Sequence, residues 1–228
     1  MPADPPAGIF YFWIRRNILK SVVPSMLTND YNELERKIRI LEQLTDVIQI
    51  DIMDGELVPN ISLGAEEVKK ANPKSKLEIH LMVKNPKAYI EPFANIGAFR
   101  AIFHIESDDD PLEVIDEIKK YNMEPGIAIN PPTPLDKILP FITLVDVVLV
   151  MGVNPGFQGQ KFIPETLDKV KAIKKIRPEI LIELDGGVNP EIGPSLISAG
   201  VDILNVGSFL FKEGDVKENW ERMQKIIK

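Results

Sequence analysis

The segment of residues 49–60, QIDIMDGELVPN, ends an isoleucine-rich run with two aspartates and a glycine. On an extended backbone alternate side chains share a face, so Asp51 lies on the same face as Gln49 and Met53, opposite the isoleucines. Asp54 precedes a glycine and is equally well explained as a turn former. Asp51 differs, because a carboxylate inside an apolar strand needs a partner. The segment therefore predicts a strand that directs Asp51 toward a ligand.

Polar residues and methionines also stand near the ends of other apolar runs. These residues are Ser25, Asp51, Met53, His80, Met82, His104, Asn130, Met151 and Asp185. Taken alone, His80 would ordinarily be a core histidine, and His104 is interpreted as structural or as a support for the site. Methionines usually fill cores, and only their shared placement suggests a soft, polarisable lining. Such a distribution is what a site at the carboxyl ends of barrel strands requires.

Short β-branched runs alternate with longer amphipathic runs from about residue 20 onward, which predicts alternating strands and helices. The strand candidates are SVVPSM, DVIQIDIM, KLEIHLMV, AIFHIE, PGIAIN, LVDVVLVM, ILIELD and VDILNV. The helix candidates include DYNELERKIRILEQL, NPKAYIEPFANIG, DPLEVIDEIKKYN, PETLDKVKAIKKI, NPEIGPSLISAG and DVKENWERMQKIIK. Eight strand–helix units without a Ser/Gly linker favour a (β/α)8 TIM barrel over residues 20–228. An open doubly wound sheet is the alternative, but no G-x-G-x-x-G turn follows the first strand.

Two late segments are rich in glycine, NPGFQGQKF at residues 154–162 and DGGVNP at 185–190, and they are followed by NVGSFLF at 205–211. Glycine loops after late barrel strands expose backbone N–H groups and commonly bind phosphate. The alternative is that each loop is an ordinary left-handed turn. Gly207 and Ser208 strengthen the phosphate hypothesis, because they follow the eighth predicted strand.

Composition excludes several classes of function. The 228 residues carry 27 Lys+Arg and 34 Asp+Glu, a net charge of -7, without a basic run, so no nucleic-acid partner is expected. The absence of cysteine removes disulfides, zinc–thiolate sites and thiol nucleophiles. Residues 1–19 are interpreted as an N-terminal extension, such as a pairing arm, a packed cap or a start-site artefact. Their apolar run is too short for a membrane span, and no membrane partner is expected.

The order of motifs resembles the ribulose-phosphate 3-epimerase family over about residues 20–211. The matching motifs are VVPSMLTND, QIDIMDGELVPNIS, EIHLMVKNP, INPPTP, VLVMGVNPGFQGQKFIP, IELDGGVNP and NVGSFLF. The resemblance implies a TIM barrel of the ribulose-phosphate-binding type. It implies an isomerase of the pentose phosphate pathway that interconverts D-ribulose 5-phosphate and D-xylulose 5-phosphate through an enediolate. It further implies a cytoplasmic homo-oligomer with one divalent metal ion: Zn, Fe, Mn, Co or Mg.

The resemblance also implies roles for individual residues. Asp51 and Asp185 correspond to the two acid/base groups, and with His80 they correspond to metal ligands. Inversion at a carbon requires removal of a proton from one face and delivery to the other, which explains two carboxylates. The expected substrate contacts are Ser25, His80, Met53, Met82, Met151, Gly156, Phe157, Gln158, Gly159, Gly186, Gly187, Gly207 and Ser208.

Gln49 departs from the family pattern, which has a histidine ligand two residues before the first catalytic aspartate. Gln49 is a further candidate ligand through its carbonyl oxygen, which binds zinc or iron more weakly than imidazole does. Loss of a supporting partner alone typically costs about 10- to 100-fold in metal affinity, so we expect a weakened site.

Three alternatives stay open at the level of sequence. The substrate of a 3-epimerase could be another ketose phosphate, such as a ketohexose 6-phosphate. A paralogue could bind sugar phosphate without epimerising it, although such a protein would not need both Asp51 and Asp185. Decarboxylase- and aldolase-type phosphate barrels are less well supported, because they use an Asp-x-Lys-x-x-Asp run and the corresponding strand ends here contain no lysine.

Overall fold

The computed structural model describes residues 20–157, 159–212 and 214–228, so the predicted extension at 1–19 lies outside the described residues. Eight parallel strands close into a barrel in chain order, from the first strand round to the eighth. The strands are β1 (Ser21–Met26), β2 (Val47–Met53), β3 (Lys76–Met82), β4 (Ala98–His104), β5 (Glu124–Ile129), β6 (Val147–Met151), β7 (Leu181–Asp185) and β8 (Ile203–Val206). The barrel prediction is confirmed, and the open sheet is excluded because β1 pairs with β8.

Helices follow the strands along the chain. They are α1 (Tyr31–Leu41), α2 (Ala65–Ala71), α3 (Lys87–Ala94), α4 (Pro111–Lys120), α5 (Thr166–Ile176), α6 (Gly193–Ala199), α7 (Ser208–Lys212) and α8 (Val216–Gln224). Aspartates at the starts of three of them accept hydrogen bonds from first-turn N–H groups, as at Asp30 and Asp110. Such caps satisfy donors that the helix itself leaves free, so these sequence signals mark real helix starts.

The (β/α)8 barrel is confirmed, but its fifth unit departs from the regular strand–helix pattern. After β5 the chain forms a short 3-10 turn, Leu135–Lys137, and the described residues there contain no α-helix. The connecting sequence PPTPLDKILP is rich in proline, which has no N–H to donate and interrupts helical hydrogen bonding. Lys169 stabilises this connection, since its Nζ donates to the carbonyls of Asn130, Pro131 and Thr133.

Each strand places alternate residues on two faces. The isoleucines of β2, Ile48, Ile50 and Ile52, are buried in the main core that also contains helix residues. The opposite face of β2 presents Gln49 and Asp51, which bond to side chains of β3, β7 and β8. The predicted division of this strand into an apolar packing face and a polar face is confirmed.

The barrel interior is itself divided. Residues from β4, β5 and β6 form an apolar cluster, which contains Ile102, Ala128, Val147, Leu149 and Met151. The interior residues of β2, β3, β7 and β8 are instead mostly polar and buried. The polar interior residues therefore lie mainly on β2, β3, β7 and β8, together with Arg100 and His104 of β4. Within the described ranges, no helix is long and apolar enough to cross a membrane.

Candidate active site

Three buried residues meet near the carboxyl ends of β2, β3 and β7. Asp51 and His80 are register partners on adjacent strands, and Asp185 ends β7. His80 Nδ1 lies 3.1 Å from Asp51 Oδ1 and 3.5 Å from Asp185 Oδ2. The side chain of His80 is completely buried, whereas those of Asp51 and Asp185 keep 9% and 12% exposure. We call these three residues the carboxylate site.

Burial and mutual charge shift the protonation of this site. Burial, followed by repulsion from Asp185, raises the pKa of Asp51 to about 6, against hydrogen bonds from His80 and Gln49. Burial alone would lower the pKa of His80, but hydrogen bonds to Asp185 and Asp51 outweigh it and raise that pKa to about 10. His80 is therefore a cation at neutral pH, and it partly neutralises the two carboxyl groups.

His104 lies behind His80, on β4. The two imidazoles stack with ring centroids 5.0 Å apart, and their Nε2 atoms are 2.9 Å apart. The other nitrogen of His104 lies 3.2 Å from Glu106 Oε2. Burial lowers the pKa of His104, and repulsion from His80 lowers it further against the pull of Glu106. His104 thus contacts His80 rather than Asp51 or Asp185, as expected of a supporting residue.

Gln49 bridges the two aspartates with its amide nitrogen. Gln49 Nε2 donates to Asp51 Oδ1 at 2.8 Å and to Asp185 Oδ2 at 2.5 Å. Gln49 Oε1, the atom expected to bind metal, accepts instead from Asn205 Nδ2. Gln49 is completely buried, so each of these polar contacts replaces one that water would make.

A second polar group lies one layer deeper in the barrel. Arg100 on β4 places Nη1 2.6 Å from Glu78 Oε2 and 2.6 Å from Glu183 Oε1, and Nη2 2.7 Å from Glu124 Oε2. Asn205 Nδ2 donates to Glu183 Oε2 at 2.9 Å and so connects this group to Gln49. We call Glu78, Arg100, Glu124 and Glu183 the charge cluster.

Most of the charge cluster was not predicted from the sequence. Glu78 stands two residues before His80, just as Glu183 stands two before Asp185, so strand alternation places each pair on one face. That spacing was a usable signal for the glutamates. Nothing in the sequence, however, indicated that Arg100 lies between them. Burial, followed by repulsion from Glu183, raises the pKa of Glu78 to about 8.

A cavity opens above the carboxylate site at the barrel mouth. The predicted residues that line it are Ser25, Asp51, Met53, Met82, Met151, Gly156, Phe157, Asp185, Gly186, Gly187, Gly207 and Ser208. His80 is fully buried and is not part of this lining, and Gly159 also lies outside it. Gln158 lies outside the described residues. Asn205, which was not predicted, contributes to the lining.

The glycines of the β7 loop are required by their surroundings. Gly186 and Gly187 have φ angles of 101° and 73°, which non-glycine residues rarely adopt. A Cβ on Gly186 would lie 2.5 Å from Val153 Cγ2, and one on Gly187 would lie 2.9 Å from the backbone of Phe162. Both residues line the cavity, so the close packing leaves backbone rather than side chains at this wall.

Asp54 acts as a turn residue. Its Oδ1 accepts from the backbone N–H of Glu56 and Leu57, and its Oδ2 accepts from that of Lys84 at 2.6 Å. These hydrogen bonds hold the pKa of Asp54 below its ordinary value, although burial acts in the opposite direction. Of the two alternatives that the sequence left open for Asp54, the structure favours the turn.

The carboxylate site has the donors that a divalent metal ion requires. Asp51, His80 and Asp185 each offer one ligand atom, and these atoms lie within 4.8 Å of one another. One imidazole nitrogen with two carboxylate oxygens suits Zn, Fe, Co and Mn, and all three residues are buried. The residues present therefore fit a divalent metal ion held by three protein ligands.

Comparisons with known proteins agree on one family. The model of the ribulose-phosphate 3 epimerase family matches residues 21–211. The chain is 39% identical over 213 residues to a ribulose-phosphate 3-epimerase, cytoplasmic isoform, of Oryza sativa subsp. japonica, covering 90% of this chain and 93% of that protein. It is 40% identical over 205 residues to a ribulose-phosphate 3-epimerase of Bacillus subtilis strain 168, covering 86% and 94%.

Solved structures show the same architecture at much lower identity. A 3-hexulose-6-phosphate synthase superposes with a TM-score of 0.67 at 12% identity, covering 92% of this chain and all of the other. A thiamine phosphate pyrophosphorylase from Pyrococcus furiosus superposes with a TM-score of 0.61 at 19% identity, covering 93% and 96%. At such identities the likeness extends to the fold alone.

Proposed function

The chain belongs to the ribulose-phosphate 3-epimerase family, and we propose that it is an isomerase that interconverts D-ribulose 5-phosphate and D-xylulose 5-phosphate. The observation that carries this proposal is the pair Asp51 and Asp185, which come from strands on different sides of β1 and β8 and converge beneath one cavity. Epimerisation at C3 requires a proton to leave from one face of the carbon and to return on the other. Two carboxyl groups in one buried site supply both roles.

The environment adapts Asp51 to this chemistry. An unperturbed aspartate has a pKa of about 3.9 and is a weak base toward a C–H bond. Burial and the neighbouring Asp185 raise the pKa of Asp51 to about 6, which brings its basicity closer to working pH. In the proposed reaction one aspartate accepts the C3 proton while the other donates to the opposite face, and the roles exchange in the reverse direction.

Asp51, His80 and Asp185 would hold the divalent metal ion, whose identity we leave among Zn, Fe, Mn, Co and Mg. When bound, such an ion acts as a Lewis acid that stabilises negative charge on the sugar oxygens. The protein side chains position it and exclude water from it, since the three ligands are buried.

The cavity wall would bind the remainder of the sugar phosphate. Met53, Met82 and Met151 present polarisable, uncharged surface beside the two aspartates, where an enediolate would form. Gly186, Gly187 and the Gly207–Ser208 pair also line the mouth and would offer backbone N–H groups to a phosphate. Ser25 contributes a hydroxyl from the end of β1.

The comparisons do not favour the two alternative functions. A ketohexose 6-phosphate would use the same aspartates, but the relatives matched over most of their length are named for ribulose phosphate. A protein that only binds sugar phosphate would not need two carboxyl groups converging on one site. We propose a cytoplasmic location, because the rice relative is named a cytoplasmic isoform. Assembly into a homo-oligomer remains a proposal by analogy with other barrels of this kind.

The proposed function is tested by following C3 directly. The purified chain is incubated with ribulose 5-phosphate in deuterated water, with Mn²⁺, Zn²⁺, Fe²⁺, Co²⁺ or Mg²⁺ or with a chelator, and products are observed by NMR. We expect xylulose 5-phosphate with deuterium at C3, and we expect the chelator to suppress it. No turnover with any ion would refute the enzymatic function. Faster turnover of a ketohexose 6-phosphate run in parallel would redirect the substrate assignment.

A further inference from the structure

Gln49 faces the site with its donor end. Gln49 Nε2 contacts the same two oxygens, Asp51 Oδ1 and Asp185 Oδ2, that lie nearest His80 Nδ1. These oxygens are the ones that a metal ion would share with His80. An amide nitrogen has no lone pair to offer a metal ion, and its hydrogens repel a cation. In this orientation Gln49 therefore cannot act as the fourth ligand.

The orientation of Gln49 is determined by residues deeper in the barrel. Gln49 Oε1 accepts from Asn205 Nδ2, and the same Nδ2 donates to Glu183 Oε2 at 2.9 Å. Glu183 in turn accepts from Arg100 Nη1 at 2.6 Å. We call Arg100, Glu183, Asn205 and Gln49 the polar chain. Each link has one donor and one acceptor, so reversing the first amide requires reversing the second.

Reversal of both amides is unfavourable because of Glu183. A turned Asn205 would place its Oδ1 against the Glu183 carboxylate, oxygen against oxygen, and would lose the Nδ2 hydrogen bond. In the present orientation Asn205 Oδ1 is buried and has no hydrogen-bond partner among the described residues. Asn205 thus directs its donor to Glu183 and Gln49, while its acceptor has no partner among the described residues.

We propose that the polar chain fixes Gln49 as a hydrogen-bond donor across the two aspartates, and that Gln49 thereby restricts the metal ion to three protein ligands. This inference rests on the proposed function, which identifies the carboxylate site as a metal site. The tests below measure metal affinity and atomic positions without substrate. A negative result in them would leave the proposed epimerase activity standing, and absence of epimerase activity would leave the inference about Gln49 standing.

The first test removes the amide and measures Mn²⁺ affinity by electron paramagnetic resonance titration of Gln49→Leu and the isosteric-length Gln49→Met. We expect Mn²⁺ to bind as tightly as in the parent or more tightly, because a repelling donor has been removed. If Gln49 were a ligand, affinity would fall by about 10- to 100-fold, as metal-site deletions do. Any weakening in the folded variants would overturn the proposal.

The second test frees the amide instead of deleting it. In Asn205→Leu, Gln49 can turn its Oε1 toward the ion, and we expect Mn²⁺ to bind about tenfold more tightly. The double variant Gln49→Leu, Asn205→Leu should lose that gain. Asn219→Leu, the same change at a buried position on α8, is the matched control and should leave affinity unchanged. An unchanged or weaker affinity in Asn205→Leu would contradict the role of the polar chain.

The third test needs no variant and remains informative if those chains do not fold. Neutron diffraction from crystals of the unaltered protein, grown in deuterated water with Mn²⁺, distinguishes amide deuterons from a carbonyl oxygen. Deuterons between Gln49 and the two aspartates would support the proposal. A Gln49 oxygen directed at the ion would overturn it.

Discussion

Two polar groups occupy successive layers of the barrel interior, and they differ in the cation that neutralises them. The charge cluster encloses three glutamates around one guanidinium, with two of its contacts at 2.6 Å. The carboxylate site contains two aspartates with no arginine or lysine among their described partners, and only His80 and the Gln49 amide compensate them. Both groups stand on β3 and β7, two residues apart.

This difference suits the charge cluster to a structural role and the carboxylate site to the proposed reaction. Arg100 carries a permanent charge, since the three glutamates raise its pKa despite burial, and its fork geometry holds several carboxylates at once. His80 can lose its charge, and after deprotonation its Nδ1 can bind a metal ion. We therefore expect the charge cluster to stabilise the fold, and we expect the carboxylate site to exchange a proton for a metal ion in the proposed function.

The largest expected effect is a loss of activity on substitution in the carboxylate site. Asp51→Asn and Asp185→Asn each remove an acid/base group while keeping shape, and we expect kcat to fall by about 10²- to 10⁴-fold. The measurement is the initial rate of xylulose 5-phosphate formation, with folding checked by circular dichroism. Asp168→Asn, on the exposed face of α5, is the control and should retain the parental rate. A rate within tenfold of the parent in both site variants would remove these residues from the chemistry.

The corresponding substitution in the charge cluster is expected to lower stability rather than activity. Arg100→Met leaves Glu78 and Glu183 buried without their cation, and the free energy of unfolding should fall by about 3 to 5 kcal/mol. Urea denaturation measures it. Arg36→Met, at an exposed position on α1, should change stability by less than about 0.5 kcal/mol. A loss in Arg100→Met as small as that of the control would show that the charge cluster is not structural.

A smaller effect, on metal affinity, is expected when Gln49 is replaced by the histidine that the family pattern has beside the carboxylate site. In Gln49→His the ring nitrogen that faces the aspartates can bind the ion when the other ring nitrogen carries the proton and donates it to Asn205 Oδ1, once that amide has turned. We expect metal affinity to rise by about 10- to 100-fold. Isothermal titration with Zn²⁺ or Mn²⁺ measures the change. Gln43→His, at an exposed position, controls for adventitious binding. Equal affinity in parent and Gln49→His would show that position 49 does not limit the site.

The smallest effect, for each unit of pH, is a pH dependence of metal affinity that only the carboxylate site should show. Metal binding must displace the proton of His80, whose pKa is raised to about 10, so affinity should increase as pH rises. Between pH 7 and 9 the expected increase is about tenfold per unit, for one proton released. Below about pH 6 the slope should steepen, because Asp51 then also holds a proton. Calorimetry in buffers of different ionisation enthalpy counts the protons, and a count of zero would contradict a protonated His80.

Much of the site was predictable from local sequence. β-Branched runs and capping aspartates indicated the strands and helices, and strand alternation placed Asp51 opposite its neighbouring isoleucines. The same alternation gave His80 and Asp185 inward positions, and the structure brings all three together. The missing helix after β5 could have been anticipated from the prolines of PPTPLDKILP, but the regular repeat of strand–helix units outweighed that signal.

What the sequence alone determined is therefore the barrel, the family and the candidate residues that the structure brings together at one site, because these follow from patterns within single elements. What only the tertiary structure decided is how residues from distant strands pair. Arg100 meets Glu183 across 83 residues, and Asn205 meets Gln49 across 156. The orientation of the Gln49 amide depends on those contacts, since either end of an amide fits its own strand equally well. Barrel closure supplies the partners that decide which end faces the aspartates.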